Sequence, residues 1–238
     1  MHSATLSAET ATPTAADFYR TNRGGGLFSE GLSQRAGALF AKAAHRLGVP
    51  PTALTVGNLL IGLATSATVI ALASTTAPTW VAGAVALLGW QLAYALDCAD
   101  GQLARVAHRT SPAGARIDVL CDIAVQVSLV TALSAVAVDQ HPSTASWLVA
   151  LFASTWMVNL VTSVMQSGPN AASMVTSTSL PVRLVKLVRD YGAVICLAGL
   201  VLLIVPQWTI WLLVAFTVVN GGFLLASIAF TGRNALRS

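Results

Sequence analysis

Long apolar stretches separated by short polar links run along most of this chain, which is the pattern of a membrane protein. A helix needs about 20 mostly apolar residues to cross the hydrocarbon core of a bilayer. Six stretches approach or meet that length: Ala53–Ala73, Thr79–Leu96, Ile117–Val138, Ser146–Met165, Tyr191–Val205 and Trp208–Phe230. The fifth is short, and we expect its helix to begin nearer Leu184. The pattern therefore predicts six transmembrane helices, joined by short links as in a tightly packed bundle.

A different pattern precedes the first span, where apolar residues recur at helical spacing. They are Leu32, Ala36, Leu39, Phe40, Ala43 and Leu47. Arg35, Lys42 and Arg46 fall mostly off this stripe, and Pro50 and Pro51 interrupt the helix before the chain enters the membrane. A basic amphipathic helix is typical of the membrane interface. We predict an interfacial helix here; an ordinary cytoplasmic helix packed on the rest of the protein is the alternative.

Composition and charge agree with this pattern. Only 9% of the 238 residues are charged, whereas a soluble domain carries roughly 25%, so that class is excluded. With six spans, all 13 Lys and Arg residues fall on one side of the membrane. The positive-inside rule makes that side cytoplasmic. We therefore expect a multi-pass protein of the plasma membrane with both termini in the cytoplasm, and no nucleic-acid partner.

Four aspartates form two pairs at the cytoplasmic ends of the second and third spans. They are Asp97, Asp100, Asp118 and Asp122. Ionisable groups at a membrane boundary are costly and indicate a functional site. The spacings i,i+3 and i,i+4 place each pair on one helix face. Arg105 and Arg116 can offset part of the mutual repulsion, but a purely structural ion-pair network seldom repays its desolvation. An all-oxygen ligand set suits hard cations such as Mg²⁺, Mn²⁺ or Ca²⁺.

Small residues lie between the carboxylates. Gly101 and Ala104 follow the second aspartate and Gly114 opens the next helix, so a bulky group has room against the backbone. Close helix packing is the other use of such residues. Carboxylates reject a phosphate unless divalent ions bridge the two. A metal-bound diphosphate is therefore the substrate that the pattern favours.

The spacing Asp-x2-Asp-Gly-x2-Ala-Arg-x8-Gly-x3-Asp-x3-Asp, from Asp97 to Asp122, resembles the signature of the CDP-alcohol phosphatidyltransferase family. All eight defining positions are present within 26 residues. The six spans and the N-terminal amphipathic helix extend the resemblance from Phe28 onward. It implies an all-α integral membrane enzyme of phospholipid synthesis that transfers a phosphate-containing group from a CDP-linked donor to an alcohol and releases CMP.

The resemblance also implies a role for each position of the motif. Metal ligands would be Asp97, Asp100, Asp118 and Asp122, holding two divalent ions, Mg²⁺ or Mn²⁺. Asp122 would also be the general base. The cytidine diphosphate would lie against Gly101, Ala104 and Gly114, with Arg105 near its phosphates. CDP-diacylglycerol is the expected donor, and a homodimer is implied although no sequence feature specifies its interface.

These expectations divide the chain into three parts. Residues 1–27 are predicted to be a disordered cytoplasmic tail, 28–50 the interfacial helix, and 51–238 the six-helix catalytic domain.

The acceptor alcohol stays open at this point. Arg183, Lys186 and Arg189 precede the fifth span on the cytoplasmic side and suit a phosphorylated acceptor, such as inositol phosphate or glycerol phosphate. They suit anionic lipid headgroups equally well. The end of the fourth span instead offers Asn159, Thr162, Ser163 and Gln166, which suit an uncharged polar acceptor. Asn58 is a further polar residue, in the first span, and we expect it to face the donor.

Three other functions would also use acidic residues in a membrane protein. Within the same chemistry, the alternative is transfer from a CDP-aminoalcohol to diacylglycerol. An intramembrane prenyltransferase would carry two acidic motifs far apart in sequence. A cation transporter would place its site near mid-membrane between inverted repeats, and no such repeat is visible.

Overall fold

The computed structural model of the protein describes residues 12–22, 24–75, 78–165 and 190–235, and all regular structure in these ranges is helical. The α-helices are α1 (Ala15–Arg20), α2 (Gln34–Arg46), α3 (Pro51–Ala73), α4 (Thr79–Val106), α5 (Pro112–Gln140), α6 (Ser146–Met165), α7 (Tyr191–Ile204) and α8 (Thr209–Ala235). A π-helical turn (Ser29–Ser33) leads into α2, and a 3₁₀ turn (Pro206–Trp208) leads into α8. The predicted all-α class is confirmed.

Within the described ranges, four segments are long and apolar enough to cross a membrane: Pro51–Ala73, Thr79–Val106, Pro112–Gln140 and Pro206–Ala229. Ser146–Val158 and Tyr191–Ile204 are apolar but shorter. The protein is thus an all-helical chain with several candidate spans, as a multi-pass membrane protein requires. The predicted start of the fifth helix near Leu184 lies outside the described residues.

Local sequence signals explain where the helices begin and end. Pro51 and Pro112 occupy first-turn positions, where a missing N–H is tolerated. Ser111 caps α5 by accepting a 2.9 Å hydrogen bond from the backbone N–H of Gly114. Helix α4 ends in a Schellman motif: His108 is left-handed (φ 53°), and the Arg109 N–H donates to the Ala104 carbonyl at 2.8 Å. The resulting turn directs α5 back along α4.

Helix α4 is the centre of the packing, since it contacts α2, α3 and α7. Trp90 of α4 is 1% exposed and donates a 3.1 Å hydrogen bond to Ser66 of α3. On the side toward α7, a Cβ added at Gly83 would collide with the backbone of Leu203. Small residues therefore let α4 and α7 approach closely.

The N-terminal segment is folded onto this bundle. Helix α1 packs against α2 and α4, and Phe18 is fully buried. Within the predicted tail 1–27, residues 15–20 thus form a helix, which burial of an aromatic side chain anchors. Residues 1–11 lie outside the described part of the chain.

Helix α2 packs through a face that its large apolar residues did not indicate. Gly37, Ala38, Ala41 and Ala44 are buried, and Gly37 lies against Cys98 and Ala99 of α4. The predicted apolar stripe points away from the protein, with exposed side chains at Leu32, Leu39, Phe40, Ala43 and Leu47. Helix α2 therefore packs on the rest of the protein through its small residues and keeps an outward apolar face.

The α4–α7 contact yields a stability prediction. We expect Gly83→Ala to destabilise the protein by about 1–3 kcal/mol, the usual cost of forcing a methyl group into a packed core. Gly222→Ala in α8 is the matched control, because an added Cβ there meets open space. Thermal unfolding in detergent measures both. Equal melting temperatures for the two variants would contradict the close contact.

Candidate active site

The last turns of α4 and the first turns of α5 bring the four predicted aspartates together. Asp97, Asp100 and Asp118 each offer a carboxylate oxygen, and these three oxygens lie within 4.8 Å of one another. Asp122 lies beside Asp97, and Asn58 of α3 joins the two. Its side-chain amide donates to an oxygen of each at 3.4 Å. The site is therefore formed by three helices rather than two.

A second residue of α3 supports the cluster. The Thr55 hydroxyl donates a short hydrogen bond to Asp100, which is 5% exposed. Thr55 and Asn58 are themselves buried, at 4% and 2% exposure. Donors to carboxylates stabilise their charged form, but two polar residues cannot neutralise four like charges. The cluster needs positive charge from elsewhere.

A divalent ion fits this need. Within the described residues, one oxygen of Asp118 (Oδ1) is buried and has no hydrogen-bond partner. A buried oxygen left in this way costs free energy unless a ligand satisfies it. Three carboxylate oxygens within 4.8 Å are a ligand set that Mg²⁺ or Mn²⁺ prefers. Arg105 is close enough to Asp118 to attract its charge.

A cavity of about 470 Å³ opens on the side of Asp100 and Asp118. Its lining includes every residue predicted to border the cytidine diphosphate: Gly101, Ala104, Arg105 and Gly114. The Arg105 guanidinium lies against Gly101, where a Cβ would be 3.0 Å from a guanidinium nitrogen. Thr52, Thr55, Arg109 and Ser111 also line this cavity. Its polar and basic walls suit a phosphorylated ligand.

A second cavity, of about 260 Å³, opens on the side of Asp97 and Asp122. Its other lining residues are Asn58, Trp90, Ala93, Tyr94, Val125, Gln126 and Tyr191. The rings of Tyr94 and Tyr191 meet edge to face, with centroids 4.9 Å apart. Gln126 accepts a 3.0 Å hydrogen bond from the indole of Trp156. The carboxylate cluster thus separates a basic cavity from one lined by hydroxyl, amide and aromatic groups.

Sequence reasoning found the carboxylates and the small residues but missed several neighbours. Thr55, Tyr94, Arg109, Gln126 and Tyr191 were not singled out. Tyr94 precedes Asp97 by three residues, and Gln126 follows Asp122 by four, so both lie on the helix faces that carry the carboxylates. That spacing was a signal that could have found them. Tyr191 comes from a distant helix, and no local pattern indicates it.

The acceptor-binding candidates cannot be placed in either cavity. Arg183, Lys186, Arg189 and Gln166 lie outside the described residues, as do the side chains of Asn159, Thr162 and Ser163.

The fold and the site define a class: a multi-pass helical membrane protein whose clustered aspartates can hold a divalent ion between two cavities. The model of the CDP-alcohol phosphatidyltransferase family matches residues 49–219 of this chain, well over half of its length. The chain therefore belongs to this family and is an enzyme of phospholipid synthesis that uses a CDP-linked donor. A comparison with curated proteins gives no match. The resemblance seen in the motif is confirmed, and this membership removes the support for a prenyltransferase or a transporter.

The geometry predicts which carboxylates bind a metal. We expect Asp118→Asn to weaken Mn²⁺ binding about tenfold or more, because it removes one charged ligand from the cluster. Asp139→Asn is the matched control, since Asp139 is exposed at the far end of α5. Electron paramagnetic resonance of Mn²⁺ titrated into detergent-purified protein measures free and bound ion. Unchanged affinity in Asp118→Asn would contradict the site.

Proposed function

We propose that this enzyme transfers a phosphatidyl group from CDP-diacylglycerol to the hydroxyl of a small polar alcohol and releases CMP. The observation that carries the proposal is the carboxylate cluster between two unlike cavities. The larger, basic cavity suits the donor's diphosphate. The smaller one reaches Asp122 and suits the acceptor. Family membership supports the CDP-linked donor, and this division of the site supports separate positions for the two substrates.

The donor is proposed to lie along the start of α5 and the end of α4. Gly101, Ala104 and Gly114 leave room for the cytidine diphosphate beside the helices. Arg105 and Arg109 line the same cavity and supply positive charge to the phosphates. The diacylglycerol part keeps its acyl chains in the bilayer.

Asp97, Asp100 and Asp118 are the residues proposed to hold divalent cation, with Asp122 contributing on the other side. When bound, such ions would supply positive charge that stabilises the leaving group. Two ions per site would fit four carboxylates. Asn58 orients Asp97 and Asp122 relative to each other through its two hydrogen bonds.

Asp122 is proposed to be the general base. It lines the second cavity, so it can accept the proton of a hydroxyl bound there. The hydroxyl oxygen then bonds to the phosphatidyl phosphorus. The bond from that phosphorus to the bridging oxygen breaks, and CMP leaves with that oxygen. The proton stays on Asp122 until it is released to solvent.

The proposed membrane arrangement has six spans with the site on the cytoplasmic side. The position of all 13 basic residues relative to the six apolar segments supports it. The exposed large apolar side chains of α2 support an interfacial helix, because an outward apolar face suits the headgroup boundary. The division into an N-terminal tail, this helix and a catalytic domain, and the homodimer, are part of the same proposal.

Two chemical classes of acceptor are proposed, a phosphorylated alcohol and an uncharged polar alcohol. Arg183, Lys186 and Arg189 would hold the phosphate of inositol phosphate or glycerol phosphate. The hydroxyl and amide groups of the second cavity would hold an uncharged alcohol equally well.

One assay tests this function. Purified enzyme in lipid nanodiscs is given Mg²⁺, radiolabelled CDP-diacylglycerol and one alcohol at a time: inositol phosphate, glycerol phosphate, inositol, glycerol or serine. We expect CMP release that depends on one alcohol and stops with EDTA. A parallel reaction with CDP-choline and diacylglycerol tests the alternative donor. Release in that reaction alone would overturn the proposed donor.

The role of Asp122 makes a separate prediction. We expect Asp122→Asn to lower kcat by about 100-fold or more, within the range for loss of a general base. Asp139→Asn should keep wild-type activity. Mn²⁺ binding measured alongside shows whether the loss comes from the metal instead. An Asp122→Asn enzyme with full kcat would refute the assignment.

A further inference from the structure

A buried carboxylate outside the metal cluster joins the N-terminal segment to the second cavity. Asp190 is 4% exposed and caps the first turn of α7 by accepting a 3.1 Å bond from the Gly192 N–H. It also accepts bonds from the backbone N–H of Phe28 at 2.8 Å and of Ser29 at 3.0 Å. The Ser29 hydroxyl donates to its other oxygen. Four donors thus converge on one carboxylate, which acts only as an acceptor.

The network continues to the wall of the second cavity. The hydroxyl oxygens of Ser29 and Tyr94 are 3.0 Å apart. We call Ser29, Tyr94 and Asp190, with the donors Phe28 and Gly192, the Asp190 network. Because Ser29 gives its proton to Asp190, it accepts the proton of Tyr94. The Tyr94 hydroxyl is therefore turned toward Ser29, and its oxygen can accept bonds from the neighbouring Cys98 thiol and from a ligand in the cavity.

The sequence around this network allows the close approach that it needs. A Cβ at Gly26 would collide with the Asp190 carboxylate. On the other side, Gln91 donates a 2.8 Å bond to the Gly192 carbonyl, which holds α7 against α4. Asp190 also precedes Tyr191, which lines the cavity and contacts the ring of Tyr94. One carboxylate therefore fixes both tyrosines of the cavity wall.

We infer that Asp190 and Ser29 are positioning residues that hold Tyr94 as a hydrogen-bond acceptor for a hydroxyl group of the acceptor alcohol. This rests on the proposed function, which places the alcohol in the second cavity. The carboxylates at the base of that cavity, Asp97 and Asp122, repel an anionic group. The part of the alcohol held there is thus its hydroxyl-bearing part, and Tyr94 selects for a second hydroxyl beside the one that reacts.

The test separates binding of the alcohol from binding of the donor. With the alcohol that gives the fastest CMP release in the assay above, we expect Ser29→Ala to raise the KM for that alcohol about threefold to tenfold, the range for loss of one hydrogen bond. The KM for CDP-diacylglycerol should stay within about twofold. Ser227→Ala is the matched control, because its hydroxyl donates to the Phe223 carbonyl of its own helix at 2.8 Å, away from both cavities.

A double-mutant cycle tests whether the effect passes through Tyr94. Tyr94→Phe should raise the same KM in wild-type enzyme and add little in the Ser29→Ala background. Asp190→Asn should give a similar KM change, with a lower melting temperature because it also loses backbone bonds. A purely structural role would lower the melting temperature and leave both KM values unchanged.

The outcomes distinguish failure of this inference from failure of the proposed function. Wild-type activity with an unchanged alcohol KM in Ser29→Ala, or fully additive effects of Ser29→Ala and Tyr94→Phe, would overturn the positioning role alone. No CMP release by wild-type enzyme with any donor and alcohol would overturn both.

Discussion

Four like charges held together at one end of a helix pair are the constraint on which this structure depends. Repulsion between Asp97, Asp100, Asp118 and Asp122 favours separation of α4 from α5, and partial burial makes that repulsion stronger than in water. The short turn closed at His108 keeps the two helices adjacent. Helix α3 then supplies Thr55 and Asn58 as donors from a third side. Three helices must therefore stay in one register for the cluster to exist.

This constraint explains why α4 has such close neighbours. Its contact with α7 relies on Gly83, and its contact with α2 relies on Gly37. Backbones that approach closely have few ways to shift, so dispersion forces between them fix the position of α4. A rigid α4 carries Tyr94, Asp97 and Asp100 on one continuous face toward α3, α5 and α7. Packing of α4 against α7 and α2, some distance from the cluster, thus offsets part of the free-energy cost of holding the four carboxylates together.

Much of the helical arrangement and of the carboxylate cluster could be predicted from the motif and the apolar segments. Helix starts at Pro51 and Pro112, and the spacing of the aspartates, are local signals. The four carboxylates follow from helical periodicity, because α4 and α5 face each other across a short turn. The predicted apolar span Thr79–Leu96 lies within the longer α4, which runs to Val106, since a helix can continue beyond the apolar core when its end packs on protein.

What the sequence did not indicate depends on distant contacts. Ser29 and Asp190 are 161 residues apart, and no spacing rule relates them. The packed face of α2 consists of Gly37, Ala38, Ala41 and Ala44. These residues are much less hydrophobic than Leu39 and Phe40, so the larger residues dominate the sequence pattern. A helix with two apolar faces of unequal size packs its smaller face where backbones must approach and leaves the larger one outward. In water the outward face would cost free energy, whereas at the proposed membrane interface it is buried in lipid. The π-helical turn that starts this helix is held by Asp190, so the contact that anchors α2 also reaches Tyr94 beside the carboxylate cluster.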